Sequence, residues 1–289
     1  MIMPLAAGGS NDTLARILAE RMRQSLGQPV IVENVTGADG SIGLGRTARA
    51  RPDGYTIDLA GLGQHVLNGA LYSLPYDVLN DFAPIAPLGT TTFVLVARKT
   101  MLAKDLKELI ALLKANPNKV SVGIAAASLR LVMALFQRET GTQLTFVPYR
   151  GAAPARQDLA AGQIDLALDA PDGLPLVRAG SVKAFAVTSE MRLASAPDIP
   201  TLRELGLPVS WSSWVGLFAP KGTPMEIIAK LNAAAVEALA DPAVRSRVAN
   251  LGLEAFPRER QTPEALGKMV KADAAKWWPL IKEFGIKAE

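Results

Sequence analysis

The residues best suited to chemistry open the chain. Pro4-Leu5-Ala6-Ala7 runs into Gly8-Gly9-Ser10-Asn11-Asp12, and an apolar-periodic segment follows at once. Two glycines before a helix start leave a bare backbone whose N–H groups can converge on an anion. The helix dipole favours negative charge at that end, and the Ser10 hydroxyl can add one more donor. Ser10, Asn11 and Asp12 are all N-cap types, so the helix is expected to begin among them. Asp12 is better suited to capping than to facing an anion, because like charges repel. A plain glycine turn with a capped helix reads the same residues without any ligand, since no complete phosphate motif is present.

Other chemistry finds little support. Ser10 after two glycines resembles an exposed nucleophile, but the Gly-x-Ser-x-Gly elbow is absent and His65 is the only imidazole. An α/β enzyme working through Ser10 or His65 therefore remains the alternative to a binding protein. With no Cys, there is no disulfide, thiolate nucleophile or cysteine metal site. One His and no calcium-loop spacing argue against a metal, and no glycine-rich nucleotide fingerprint argues for a cofactor, so none is expected. The net charge of +4 is mild, and its cations are scattered without interleaved aromatics, so nucleic acid is not an expected partner. An effector-binding half of a transcription regulator is a further alternative, but the tail 225–284 carries no basic recognition helix. No apolar run approaches the ~20 residues that span a bilayer.

The elements that must position these residues alternate between strand-like and helical. Leu14, Ile17, Leu18, Met22 and Leu26 give the first helix one apolar face. Ile2–Leu5, Val30–Glu33, Thr56–Ala60, Thr91–Ala97, Lys119–Gly123, Leu144–Val147, Leu166–Asp169 and Ala184–Thr188 read as strands, and Trp211–Ala219 as a returning segment. Helices are expected over Lys104–Asn116, Leu129–Thr140, Ala152–Ala161 and Leu174–Ala179, with a helical tail over Met225–Ala240, Pro242–Leu251 and Pro263–Phe284. Such alternation argues an α/β fold with largely parallel sheets. A chain of 289 residues suits one large domain or two modest ones.

A set of ordered segments adds a family. Beside the opening loop stand Gln28-Pro29-Val30-Ile31-Val32-Glu33-Asn34, Gly37-Ala38-Asp39-Gly40-Ser41-Ile42-Gly43 and Arg51-Pro52-Asp53-Gly54-Tyr55-Thr56. Then come Leu74-Pro75-Tyr76-Asp77, Val147-Pro148-Tyr149-Arg150-Gly151, Pro197-Asp198-Ile199-Pro200-Thr201 and Ala219-Pro220-Lys221-Gly222-Thr223-Pro224. In this order and spacing the chain resembles the solute-binding proteins of tripartite tricarboxylate transporters, the Bug family. The resemblance runs from near residue 3 to Lys287. It implies a monomeric periplasmic receptor that captures a small carboxylate and passes it to membrane permease subunits without performing chemistry. The leader of an exported protein is expected to have been removed, with Met1 as an expression start.

The family also implies a type II periplasmic-binding-protein fold. Each lobe would be a mainly parallel sheet flanked by helices. Lobe 1 is expected over residues 1–97 and 219–289, and lobe 2 over 98–218. Two hinge crossings are expected near Leu95–Lys99 and Val215–Pro220, with the ligand cleft between the lobes. Ala7, Gly8, Gly9, Ser10 and Asp12 would form one jaw of the ligand clamp. Ala126, Ala127 and Ser128, before the helix at Leu129, would form its counterpart. There the family pattern is longer, glycine-rich and followed by a His, whereas this chain has Leu131 or Val132 in that place. Backbone capture survives alanine, but the identity of the solute is left open. Arg150 could pair with a carboxylate or lie at the surface, so Gly151 and Ala152 at the next helix start are the stronger donors. Asp169 ends a strand, where it could accept from a solute hydroxyl or amine or act as a cap; Asp172 competes for the role less well. Leu62, Gln64 and His65 follow the strand Thr56–Ala60 in a segment read as a cleft-facing loop, where a lone His is more often structural. Trp211 and Trp214 are expected to pack.

Overall fold

A computed structural model describes residues 1–149 and 151–287. In chain order the strands are β1 (Ile2–Met3), β2 (Glu33–Asn34), β3 (Asp58–Gly61), β4 (Phe82–Thr91), β5 (Val94–Arg98), β6 (Ser121–Ile124), β7 (Thr145–Pro148), β8 (Leu166–Asp169), β9 (Val182–Val187), β10 (Ser213–Pro220) and β11 (Glu254–Ala255). The helices are α1 (Ser10–Leu26), α2 (Ser41–Ala48), α3 (Asn68–Leu71), α4 (Leu106–Ala115), α5 (Ala127–Thr140), α6 (Ala152–Ala161), α7 (Leu174–Arg178), α8 (Met225–Ala240), α9 (Pro242–Asn250) and α10 (Pro263–Glu283). Two units contain them: Met1–Thr90 with Ser213–Glu289, and Thr91–Ser212.

The first unit holds a six-stranded sheet in the order β11-β4-β10-β3-β1-β2. Its β2, β1 and β3 run parallel, whereas β10 pairs antiparallel with β3 and β11 antiparallel with β4. The apolar stripe of α1 packs onto this sheet: Leu14, Ile17, Leu18 and Met22 join Met3, Leu59, Leu217 and the α8 residues Ile228 and Ala235 in one core. Burying each such Leu or Ile stabilises the fold by roughly 1.5–3 kcal/mol. Helix α1 ends at Gly27 in the left-handed conformation, whose N–H closes on Arg23.

The second unit holds a five-stranded sheet in the order β7-β6-β8-β5-β9. Here β7, β6 and β8 are parallel, while β5 runs antiparallel to both β8 and β9. Both sheets are thus mixed rather than mainly parallel. The chain passes between units at Thr90/Thr91 and Ser212/Ser213, a few residues before the expected crossings. Residues 95–98 and 215–218 are instead fully paired strand residues.

Three elements differ from the sequence reading for identifiable reasons. Pro84 and Pro87 mask β4, because proline cannot donate to a ladder. Gly61-Leu62-Gly63 reads as a loop, yet Gly63–Leu67 forms a π-helical turn that leads into α3. Helix α1 takes Gly9 as its N-cap with no side-chain cap, so Ser10, Asn11 and Asp12 lie inside its first turn. Trp211 and Trp214 are buried as expected. Among the described residues no helix is long and apolar enough to cross a membrane.

Candidate functional site

In an open α/β sheet, ligands bind outside the carboxyl ends of parallel strands. In the first unit three loops leave that edge: Pro4–Gly9 after β1, residues 35–40 after β2, and Leu62–Gly63 after β3. The first is the expected jaw. Ala7, Gly8, Gly9 and Ser10 are all exposed. Gly8 sits at φ +87°, a left-handed geometry that glycine adopts without cost. Gly9 is extended, at φ −75° and ψ 168°. Among the described residues, the N–H groups of Gly9, Ser10 and Asn11 and the Ser10 hydroxyl have no hydrogen-bond partner. Four donors thus stand uncommitted at the positive end of a 17-residue helix.

Asp12 is not one of the groups offered to a ligand. Only 4% of its side chain is exposed. Its carboxylate accepts from Gly8 N–H at 2.9 Å, from Arg16 Nε and Nη2 at 3.0 Å each, and from Asn34 Nδ2 at 2.9 Å. Burial pushes this carboxyl up, but the Arg16, Gly8 and Asn34 bonds outweigh it and bring it down to about 2. Asn34, at the end of β2, also donates to Leu5 O at 3.0 Å. Neither Arg16 nor Asn34 was singled out in the sequence; the only signal was a cation at i+4 from Asp12.

Leu62, Gln64 and His65 do not present side chains to solvent, contrary to the sequence expectation. The π-helical turn rotates them inward, leaving Leu62 at 1%, Gln64 at 7% and His65 at 0% exposure. His65 Nε2 lies 2.8 Å from Asp58 Oδ1, and its ring stacks on Phe218 at 3.6 Å and meets Phe82 edge-on at 4.7 Å. Gln64 and Asn68 instead donate to Asp39 O and hold the loop after β2, in which Ala38 and Asp39 adopt positive φ. A Cβ on Gly63 would point into open space, so backbone is what this loop exposes.

The second unit repeats the plan. β6, β7 and β8 end at Ile124, Pro148 and Asp169, and the loops beyond β6 and β7 open α5 and α6. Ala126 is the exposed N-cap of α5 in extended geometry. Ala127 begins the helix, and the Ser128 hydroxyl has no partner among the described residues. Gly151, at φ +102°, is the N-cap of α6, followed by exposed Ala152. Arg150 lies outside the described residues. Tyr149 donates to Asp158 at 2.7 Å, bracing the loop against α6; burial and the Asp158 carboxylate together push its hydroxyl up to about 12.

Asp169 is placed at the strand edge as expected, but its oxygens are engaged. Arg156 Nη2 donates to it at 2.7 Å and Arg156 Nε at 2.9 Å, and Ala170 N–H at 3.0 Å. Burial pushes its carboxyl up, with Arg156 pulling against that shift. Arg156 also reaches Asp172 at 2.8 Å, so the two competing acids share one cation. Gly173 permits this approach, since a Cβ there would collide with Asp169 Oδ2. Each unit therefore carries a buried Asp held by an Arg that is itself partly exposed, and in both the donors left open are mostly backbone.

Helix N-termini gathered at the carboxyl edges of parallel strands define a small-ligand binding protein of α/β class. The family model described as "Tripartite tricarboxylate transporter family receptor" matches residues 14–286. The chain belongs to that family. It is similar to a structure of the periplasmic binding protein BugD, with 38% identity and a TM-score of 0.86 over 100% of this chain and 98% of that one. It is also similar to MatC from Rhodopseudomonas palustris with bound malate, at 37% identity and TM-score 0.85 over 97% of each chain. Rpa4515 of R. palustris with adipate superposes at TM-score 0.87 and 30% identity, over 99% of this chain and 97% of that one. The fold is that of periplasmic binding proteins. The family is one of transporter receptors and BugD is a periplasmic binding protein, not an enzyme, which removes the reading built on Ser10 or His65 as catalytic groups.

Proposed function

We propose that this chain captures a small carboxylate reversibly, in the periplasm, as a monomeric receptor, and delivers it to the permease subunits of a tripartite tricarboxylate-type transporter. The carboxylate is anchored by the N–H groups of Gly9, Ser10 and Asn11 with the Ser10 hydroxyl. The strand-end loops of the second unit, Ala126–Ser128 and Gly151–Ala152, open helices in the same way. The supporting observation is the set of uncommitted donors at the start of α1, in a loop whose neighbouring groups are tied down. Such donors bind an anion with little reorganisation, and the helix dipole adds to the attraction. The malate and adipate bound to two relatives are both dicarboxylates, which favours an aliphatic dicarboxylate over a neutral solute.

A thermal-shift screen tests this. It would cover aliphatic dicarboxylates, citrate-like tricarboxylates, aromatic carboxylates and amino acids, with neutral sugars alongside. A true solute at about 100 times its dissociation constant should stabilise the fold by roughly 2.7 kcal/mol. Stabilisation by neutral sugars and by none of the carboxylates would overturn the reading.

A further inference from the structure

Asp12 is the third residue of α1 and reaches back past the N-cap. In a capping box, the side chain at this position takes the N–H of the N-cap residue itself. Here it takes the N–H one residue earlier, that of Gly8, at 2.9 Å. The displacement leaves Gly9 N–H uncommitted beside those of Ser10 and Asn11. The same carboxylate is fixed from two other sides, by Arg16 from within α1 and by Asn34 from β2. Asn34 holds Leu5 O at the other end of the loop. The stretch from Leu5 to Gly8 is thereby tied at both ends to one acidic side chain and its amide partner.

We propose that Asp12 is a positioning residue for solute capture, which, with Asn34, sets the loop so that the Gly9, Ser10 and Asn11 N–H groups converge on a carboxylate. This rests on the reading that the loop binds an anion. Electrostatics alone predicts the opposite effect on binding. Asp12 is a negative group close to the anion, so its removal would strengthen capture if charge decided the matter. The bidentate Arg16 contact neutralises that charge, so geometry is what its removal loses. Truncating either partner of the brace frees backbone that must then be ordered by the solute, at an entropic cost to affinity.

The test compares Asp12→Ala and Asn34→Ala with the wild type in two measurements. The first, without ligand, is amide hydrogen exchange resolved at Gly8 and along α1. The brace predicts exchange at Gly8 at least tenfold faster in Asp12→Ala, with the amides of residues 18–22 unchanged. The second is calorimetric titration with malate and adipate. The proposal predicts dissociation constants raised about tenfold in Asp12→Ala and at least threefold in Asn34→Ala, with the double variant little worse than Asp12→Ala. Unchanged Gly8 exchange, or unchanged or tighter solute binding by folded Asp12→Ala, overturns it. If Asp12→Ala does not fold, Asn34→Ala decides by the same criteria. If the wild type binds neither of these probes nor any other carboxylate, the anion reading fails, and so does a role for the brace in capture; the exchange result separately decides whether Asp12 orders the loop.

Discussion

Replacing His65 with alanine separates a core role from a solute contact. The ring is wholly buried, its Nε2 is 2.8 Å from an equally buried Asp58 Oδ1, and it lies between Phe218 and Phe82. Asp58 Oδ2 and His65 Nδ1 have no other partner, so the 2.8 Å contact is the only polar support the pair shows among the described residues. Removing one member of such a pair costs about 3–5 kcal/mol, because the other stays buried without compensation. Loss of the aromatic contacts adds about 0.5–1.5 kcal/mol. His65→Ala should therefore destabilise the fold by about 3.5–6.5 kcal/mol in urea unfolding followed by tryptophan fluorescence. That is a large share of the roughly 5–15 kcal/mol a typical protein has. His65→Asn, which can still donate to Asp58, should recover part of the loss. Solute affinity of the folded variant should stay within twofold of wild type. A loss below about 1 kcal/mol together with a tenfold fall in affinity would refute the reasoning and return His65 to the binding surface.

Three further outcomes follow from local geometry. Asp12 has its folded-state carboxyl at about 2 against an ordinary 3.8, so its bonds favour the folded state by about 2 kcal/mol once pH exceeds the unfolded value. That contribution should disappear between about pH 4 and pH 2, and the stability gap between wild type and Asp12→Asn should narrow in that window and stay flat from pH 5 to 7. Gly173→Ala should drive Asp169 off Arg156 and destabilise the second unit by about 1–3 kcal/mol; equal urea midpoints would contradict the contact as drawn. Ser10→Ala removes one hydroxyl donor while the N–H groups remain, so calorimetry should record a loss of about 0.5–1.5 kcal/mol in solute binding and an unchanged unfolding midpoint.

Sequence reasoning recovered most elements because burial is periodic. The stripe Leu14, Ile17, Leu18 and Met22 and the runs around Val122, Leu166 and Trp214 all lie where their period places them. Polar groups were harder, because their partners are distant in sequence. Asn34 is 22 residues from Asp12, and Arg156 is 13 from Asp169, so neither pairing has a local signature. The segment 61–67 was misread because two glycines signal a loop, while the π-helical turn that turns Leu62, Gln64 and His65 inward depends on packing against Phe82 and Phe218. The glycine pair at residues 8 and 9 was legible as bare backbone before a helix, because an exposed turn is what paired glycines announce.

Backbone capture at the start of α1 is tested most directly by Gly9→Val. Gly9 lies at φ −75° and ψ 168°, which any residue adopts, and an added Cβ would meet only Ala6 O at 3.7 Å. The variant should therefore fold as the wild type does, with an unfolding midpoint within a degree or two. Its isopropyl group would crowd the exposed backbone that offers the Gly9 and Ser10 N–H groups. Titration of both proteins with malate, adipate and any further carboxylate that stabilises the wild type should give saturable binding to the wild type and at least a tenfold loss in Gly9→Val. Equal affinity and equal enthalpy in the two folded proteins would place the anchor elsewhere and contradict the account.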